Sequence, residues 1–478
     1  MSTPSPGRTS DPTPGQLWGG SKRMSAWESM MWRAEGDLRT RSSGVLLELL
    51  DREPDWERFR TAHEYATRAI PRLRDKVVEP LLPVVTPTWV PDDHFDLDYH
   101  VQRVSLPAPG SMRQLLDYAA QILSRPLDPN RPCWEALLVS GLEDGKAAYL
   151  LKLHHSMSDG LGIMQLLELA HSKSPEPGHF GALPEPVVGP AATPLSLVTN
   201  GIVEEVTGAP ARLARGAGDL LGTVGRTLRD PVGNVTRAVE YGMSLRRMLA
   251  PPETKRSPLL RDNGFGYRVV LHDIPLADLK AAGKAAGGSV NDAFLAGILG
   301  AFRIFHEHAG VHVDYLPMAI PVSLRSADDP LGGNKFAGAR LPGPVGEADP
   351  AARIRQIREF ILTVRAEPAI GFLELLAPVM SKLPSAALTE LAGNLTNVSD
   401  IQASNVPGIG WPVYLAGARV LRLYPLGPRP GVAAMVTMVS YDGMCCIGVN
   451  VDPEVVPDIE LFQQCVVDGF DEVLALAR

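Results

Sequence analysis

Cysteine is scarce in this chain. Four occur in 478 residues, Cys133, Cys445, Cys446 and Cys465. None are spaced as C-x-x-C and two are adjacent, so the pattern encodes no disulfide framework and reads as reduced thiols of the cytosol. Long hydrophobic runs are missing too: no apolar stretch reaches the ~18 residues of a membrane-spanning helix. Residues 1–23 lack the apolar core of a secretory signal; rich in Ser, Thr, Pro and Gly, they read as a disordered lead-in. Basic residues are not in excess. With Lys+Arg 46 against Asp+Glu 54 and a net charge of −8, nucleic acid is excluded as a main partner. No P-loop, complete G-x-G-x-x-G or G-x-S-x-G is present, which argues against kinase, nucleotide redox and serine hydrolase chemistry.

What is present is an ordinary folded composition, 45% hydrophobic and 21% charged. The length exceeds one compact core and implies two domains. Forty-three prolines and 45 glycines imply many turns, without any internal period. The stretch richest in chemistry runs from Ala147 to Lys173. Its first part is short and apolar and follows Asp144-Gly145, as a buried strand does. Its last part carries Leu161, Met164 and Leu167 near helical spacing, with Asp159 where an N-cap belongs. His154 and His155 therefore occupy a tight strand-to-helix connection, a place where a scaffold presents reactive groups. An imidazole there has a pKa near ~6.5 and can accept a proton at cytosolic pH. Vicinal histidines on a turn rarely chelate one ion, and no Cys or acidic residue shows ligand spacing, so no metal site is assigned.

The flanking chain alternates helix and strand signals. Met24–Glu35 has helical periodicity opened by a Ser25/Glu28 capping box. Gly44–Leu50 reads as a strand, Asp55–Ile70 and Met112–Ser124 as helices, and the Pro-punctuated 125–135 segment as a corner that leads into another strand. Pro175–Pro194 is the linker candidate. Leu195–Leu249 is helical in character and rich in Arg, which fits either an interfacial helix on anionic lipid or a solvated helix face. In the second half, strands are expected at 267–272, 316–321 and 336–341, and helices at 276–285, 350–366 and 372–383. Ser289 caps a long apolar helix whose first turn holds Asn291 and Asp292. His306-Glu307-His308 at its far end reads as surface. Turns are expected at 404–408 and 414–417. Asp442-Gly443 between apolar runs is a hairpin signal, and Pro457-Asp458 opens a final helix. The resulting division is a lead-in (1–23), a first lobe (24–174), a linker and helical crossover (175–262) and a second lobe (263–478).

His-His-x-x-x-Asp-Gly at a strand end resembles the active-site signature of the chloramphenicol acetyltransferase-like acyltransferases. The ordered set of Arg125-Pro-Leu-Asp128, Pro132-x-Trp134-Glu135, Ser289-Val-Asn291-Asp292, Pro321-Val-Ser-Leu-Arg325, Gly333-Asn334, Ser404-Asn-Val-Pro-Gly408, Tyr414-Leu-Ala-Gly417 and Ser440-Tyr-Asp-Gly443 is similar to bacterial wax ester synthase/diacylglycerol acyltransferases. The resemblance runs from about Met24 to the C-terminus. It implies an α/β (α+β) fold of two lobes, each a mixed sheet flanked by helices, with the active site at their junction. It implies transfer of a long-chain acyl group from acyl-CoA, a co-substrate, to a lipid hydroxyl, with no cofactor or metal. Diacylglycerol would give triacylglycerol and a fatty alcohol would give wax ester.

By the same resemblance, His155 is the general base, His154 shapes the loop and Asp159 orients it. Gly160, Asn291, Asp292 and Arg325 are assigned to substrate binding, Asn291 as oxyanion donor and Arg325 as an ion-pair partner for Asp159. A cytoplasmic location with peripheral contact to a membrane or lipid inclusion is expected. Two alternatives stay open: a carrier-dependent condensing enzyme of secondary metabolism, and a catalytically silent lipid-binding protein.

Overall fold

The computed structural model describes residues 18–82, 85–176, 184–185, 193–199, 254–262, 264–323, 332, 334, 336–365 and 398–478. Residues 1–17, most of the 175–253 linker and crossover, Arg325 and the helix expected at 372–383 lie outside the described residues.

Two six-stranded sheets form the frame. The first is built from β1 (Ser43–Leu50), β4 (Val101–Ser105), β5 (Trp134–Ser140), β6 (Ala147–His154), β11 (Tyr414–Leu415) and β12 (Ala418–Leu426), in the order β11-β12-β1-β6-β5-β4. The second holds β7 (Arg268–Pro275), β8 (Leu316–Ser323), β9 (Phe336–Gly343), β10 (Ile401–Val406), β13 (Ala434–Tyr441) and β14 (Met444–Val451), in the order β7-β14-β13-β10-β8-β9. A small pair, β2 (Asp75–Val78) and β3 (Thr88–Pro91), stands apart. Both large sheets are mixed: β4 pairs β5 and β10 pairs β13 in parallel, while β6 lies antiparallel to both β1 and β5.

Local chemistry explains most element ends. Helix α1 (Ala26–Ala34) starts on the Ser25/Glu28 capping box read from the sequence. Helices α2 (Trp56–Ala69) and α3 (Met112–Ser124) start on Asp55 and Ser111 caps, and α4 (Gly160–Ala170) starts on Asp159. In the second half, α5 (Leu276–Ala285) leads to α6 (Val290–His308), which Ser289 and Asp292 open as a capping box. Helices α7 (Pro350–Arg365) and α8 (Ile459–Leu474, capped by Asp458) complete the layer. Two separate buried clusters result, one on each sheet.

Four expectations need correction. The lead-in does not extend to residue 23: Trp18 is 2% exposed, its indole N–H donates to the Gly162 carbonyl at 2.9 Å, and Arg23 bridges Thr88. A chain of low local hydrophobicity is held here by one large aromatic finding a distant pocket. The boundary at 262/263 does not separate two self-contained lobes, because β11 and β12 return to the first sheet and Leu423 and Leu426 join its core. His306 is not a surface residue. It is 2% exposed, with its ring nitrogens on Ser257 Oγ (2.7 Å) and the Phe302 carbonyl (2.6 Å). Residues 401–406, whose later part reads as a turn, are instead a strand, paired in parallel with β13.

Candidate active site

Every residue of β6 is buried, so the strand delivers its last residue, His154, and the following turn to a fixed place. His154 is 1% exposed. The Ser156 backbone N–H donates to its Nδ1 at 3.1 Å; an N–H can only donate, so Nδ1 is the acceptor and the ring proton sits on Nε2. Nε2 faces Glu35 Oε2 at 3.2 Å, and Trp32 stands edge-on to the ring at 5.4 Å between centroids. Burial pushes the Glu35 carboxyl up. The hydrogen bond from His154, the Ser42 N–H and the charge of Arg41 outweigh that, and the net direction is down. His154 is thus a locked structural ring.

His155 is held differently. Its backbone N–H donates to the Ser42 carbonyl at 2.9 Å, and its carbonyl accepts from the Asn334 side-chain amide. With the backbone pinned on both sides, the imidazole is left to line a cleft. Its Nδ1 is buried and makes no hydrogen bond among the described residues. Burial lowers its pKa; the Asp159 carboxylate opposes this, and the net direction is down. The ring is therefore neutral and able to accept a proton at neutral pH.

Both lobes build the cleft. Gly44, Leu46, Leu153, His154, His155 and Ile163 line it from one side, and Ser404, Val406, Met435, Thr437 and Val439 from the other, around about 660 Å³ including its open mouth. Its walls are mainly apolar, as a hydrocarbon substrate requires. On the second lobe's wall the Thr437 hydroxyl is buried and unpartnered among the described residues.

The expected site residues separate into two groups. His154, His155 and Gly160 meet at the cleft. Gly160 is where α4 approaches the second lobe, since a Cβ there would stand 2.7 Å from Val406 Cγ2. Asp159 is 8% exposed and accepts from the Gly162 N–H at 2.9 Å, holding the turn as the helix cap. Asn291 and Asp292 do not line the cleft. The Asn291 amide oxygen accepts from the Asn405 side chain at 3.4 Å, and the Asp292 carboxylate closes its own capping box and meets Arg358 at 3.4 Å. Sequence reasoning missed Glu35, which ends an ordinary amphipathic helix, and Thr437, which sits in an apolar strand; neither has a local signal. No group of His, Cys, Asp and Glu able to hold a metal ion occurs among the described residues.

Two family profiles match the chain: the wax ester synthase/diacylglycerol acyltransferase catalytic domain over residues 24–294 and the corresponding C-terminal domain over 332–473. The chain belongs to the wax ester synthase/diacylglycerol acyltransferase family. It is accordingly an acyltransferase acting on a lipid hydroxyl. A putative diacylglycerol O-acyltransferase of Mycobacterium tuberculosis is 44% identical over 453 residues, covering 94% of this chain and 91% of the relative. A second, named a probable diacylglycerol O-acyltransferase of the same organism, is 32% identical over 74% of this chain and 76% of its own length. Among solved structures, the wax ester synthase/diacylglycerol acyltransferase of Marinobacter aquaeolei aligns over 97% of both chains with a TM-score of 0.58 at 21% identity. A condensation domain of the calcium-dependent antibiotic synthetase reaches 0.57 at 16% identity, over 95% of this chain and 97% of that one. These two likenesses show the fold, the two-lobed architecture read from the motifs.

Proposed function

We propose that the protein moves a long-chain acyl group from acyl-CoA to the hydroxyl of diacylglycerol, or of a fatty alcohol, with His155 as the general base. One observation carries this reading: an imidazole biased toward its neutral form, pinned through its backbone, opens into an apolar cleft walled by both lobes. His155 takes the proton of the acceptor hydroxyl. The oxygen attacks the thioester carbonyl carbon, forming the new C–O bond as the carbonyl becomes an oxyanion. When the oxyanion collapses the C–S bond breaks, and the imidazolium returns its proton to the departing thiolate. Ester and CoA thiol leave, and the enzyme is unchanged. A positioned base contributes about 10²–10⁴-fold.

The oxyanion needs a donor about 3 Å away. With Asn291 turned from the cleft, the unpartnered Thr437 hydroxyl on the facing wall is the better candidate. Glu35 and His154 hold the turn on which His155 stands. Among the described residues no helix is long and apolar enough to cross a membrane.

The test incubates labelled palmitoyl-CoA with diacylglycerol and with hexadecanol separately, without any carrier protein. Triacylglycerol or wax ester is the expected product, with thiol release in step. A requirement for a carrier-bound acyl group would favour the condensing enzyme instead. Ester formation undiminished in His155→Ala would overturn the assignment of the base.

A further inference from the structure

The first sheet carries a second cavity on the same face as the cleft. It takes in about 480 Å³, part of it open to solvent, between α2, α4, β5 and β6, and Ala62, Ala66, Leu166, Leu167 and Ala170 are among its walls. Leu151 lines both this cavity and the cleft. The strand register explains why: Leu46 pairs with Leu151 and Glu48 with Tyr149 across β1 and β6, so these side chains share one face of the sheet. Helix α4 covers that face from end to end, with Ile163 and Met164 at the cleft and Leu166, Leu167 and Ala170 at the second cavity.

Protein interiors are close-packed, so small residues lining a space decide what can enter it. Here three of the helix residues around the space are alanines. The far wall carries two imidazoles whose ring nitrogens are all paired. His63 has Nδ1 on the Phe59 carbonyl and Nε2 on the Tyr149 hydroxyl; His171 has Nδ1 on the Leu167 carbonyl and Nε2 on Glu48 Oε2. No ring nitrogen is left to hold water, and apolar cavities of this kind take hydrocarbon.

We propose that this cavity is the far end of an alkyl-binding lane: the hydrocarbon tail of a substrate reacting at His155 runs beneath α4, past Leu151, and stops against His63, Tyr149 and His171. The inference rests on the acyl-transfer reading and adds to it a place where chain length is measured. The 11 residues of α4 span about 16 Å, comparable with an extended dodecyl chain. Leu151 is the partition whose side chain turns aside when a long tail enters. The tail of the thioester and that of the acceptor share this chemistry, and the experiment separates them.

Turnover is measured for Ala66→Leu/Ala170→Leu, which fills the far end, and for Leu151→Ala, which removes the partition. One arm varies the donor from butyryl- to palmitoyl-CoA with a fixed short alcohol; the other varies the alcohol with a fixed donor. The filled variant is expected to keep short-chain rates and lose about tenfold on the longest chain in one arm, a selectivity that pocket volume can supply. Leu151→Ala should move the preference in that arm toward longer chains, and it decides the matter if the filled variant fails to fold. Chain-length profiles unchanged in both arms would overturn the lane while leaving acyl transfer intact. If the wild-type chain transfers nothing, affinity for a non-hydrolysable palmitoyl-CoA ether is compared: a tenfold loss in the filled variant supports the lane, and equal affinities overturn it.

Discussion

The two ends of α4 sit on one sheet face and are wired in opposite ways. At the N-terminal end His155 Nδ1 and, across the cleft, Thr437 Oγ1 are buried with no hydrogen bond among the described residues. At the C-terminal end the ring nitrogens of His63 and His171 and the Tyr149 hydroxyl are all engaged. A buried polar group left unmade costs about 1–3 kcal/mol, and on the proposed reading a substrate completes these two at the cleft. On that reading, the same residue type is chemistry at one end and wall at the other. What separates them is the hydrogen-bond account of the neighbours, since burial lowers the proton affinity of both His155 and His63.

The contrast is broken most directly at His155. His155→Ala is expected to lower the rate of ester formation by about 10²–10⁴-fold with a melting temperature close to that of the parent, because its buried Nδ1 makes no hydrogen bond to lose among the described residues. A large loss of stability would mean that this ring is wall as well. Thr437→Val keeps the shape and deletes the hydroxyl. A fall in kcat of about 10²-fold with KM nearly unchanged is expected if the hydroxyl meets the oxyanion; wild-type kinetics would remove Thr437 from the mechanism. Glu35→Gln reaches the base only through His154. It should cost about 1–2 kcal/mol by urea unfolding, as a weakened buried charged hydrogen bond does, and lower kcat less than either of the others.

Much of the frame was legible in local chemistry. Ser25 with Glu28, Ser289 with Asp292, and the single caps Asp159 and Asp458 all start helices where the residues say they should. Asp442-Gly443 turns the β13–β14 hairpin with both residues at positive φ. The turn that carries His154 and His155 was legible for the same reason, since its strand, its cap and its two histidines are contiguous. What escaped depends on distance along the chain. The return of β12 to β1 joins residues more than 350 apart, the 401–406 ladder needs β13 as partner, and Trp18 docks on Gly162. Asn291 was ambiguous because a polar residue opening a buried helix looks the same whether it serves a ligand or its neighbours. Arg325, in the expected set, lies outside the described residues.

The finest test of the contrast is within the wall itself, where two neighbouring histidines shift in opposite directions. Burial holds the folded-state pKa of His63 down to about 4. The unfolded chain therefore binds a proton that the fold refuses. This stabilisation is complete above the unfolded value near ~6.5 and is lost as pH falls toward 4, amounting to about 3 kcal/mol. Burial also pushes His171 down, but the charge and hydrogen bond of Glu48 outweigh it and the net shift is up. Its contribution is present below ~6.5 and is lost as pH rises through the folded value. Urea midpoints between pH 4 and 8 should show His63→Gln flattening the acid limb and His171→Gln the alkaline one. The charge of His171 is also among the influences holding His63 down, so His171→Gln should soften the acid limb slightly as well. An acid limb identical to the parent's would show that the two rings do not sense each other across the cavity.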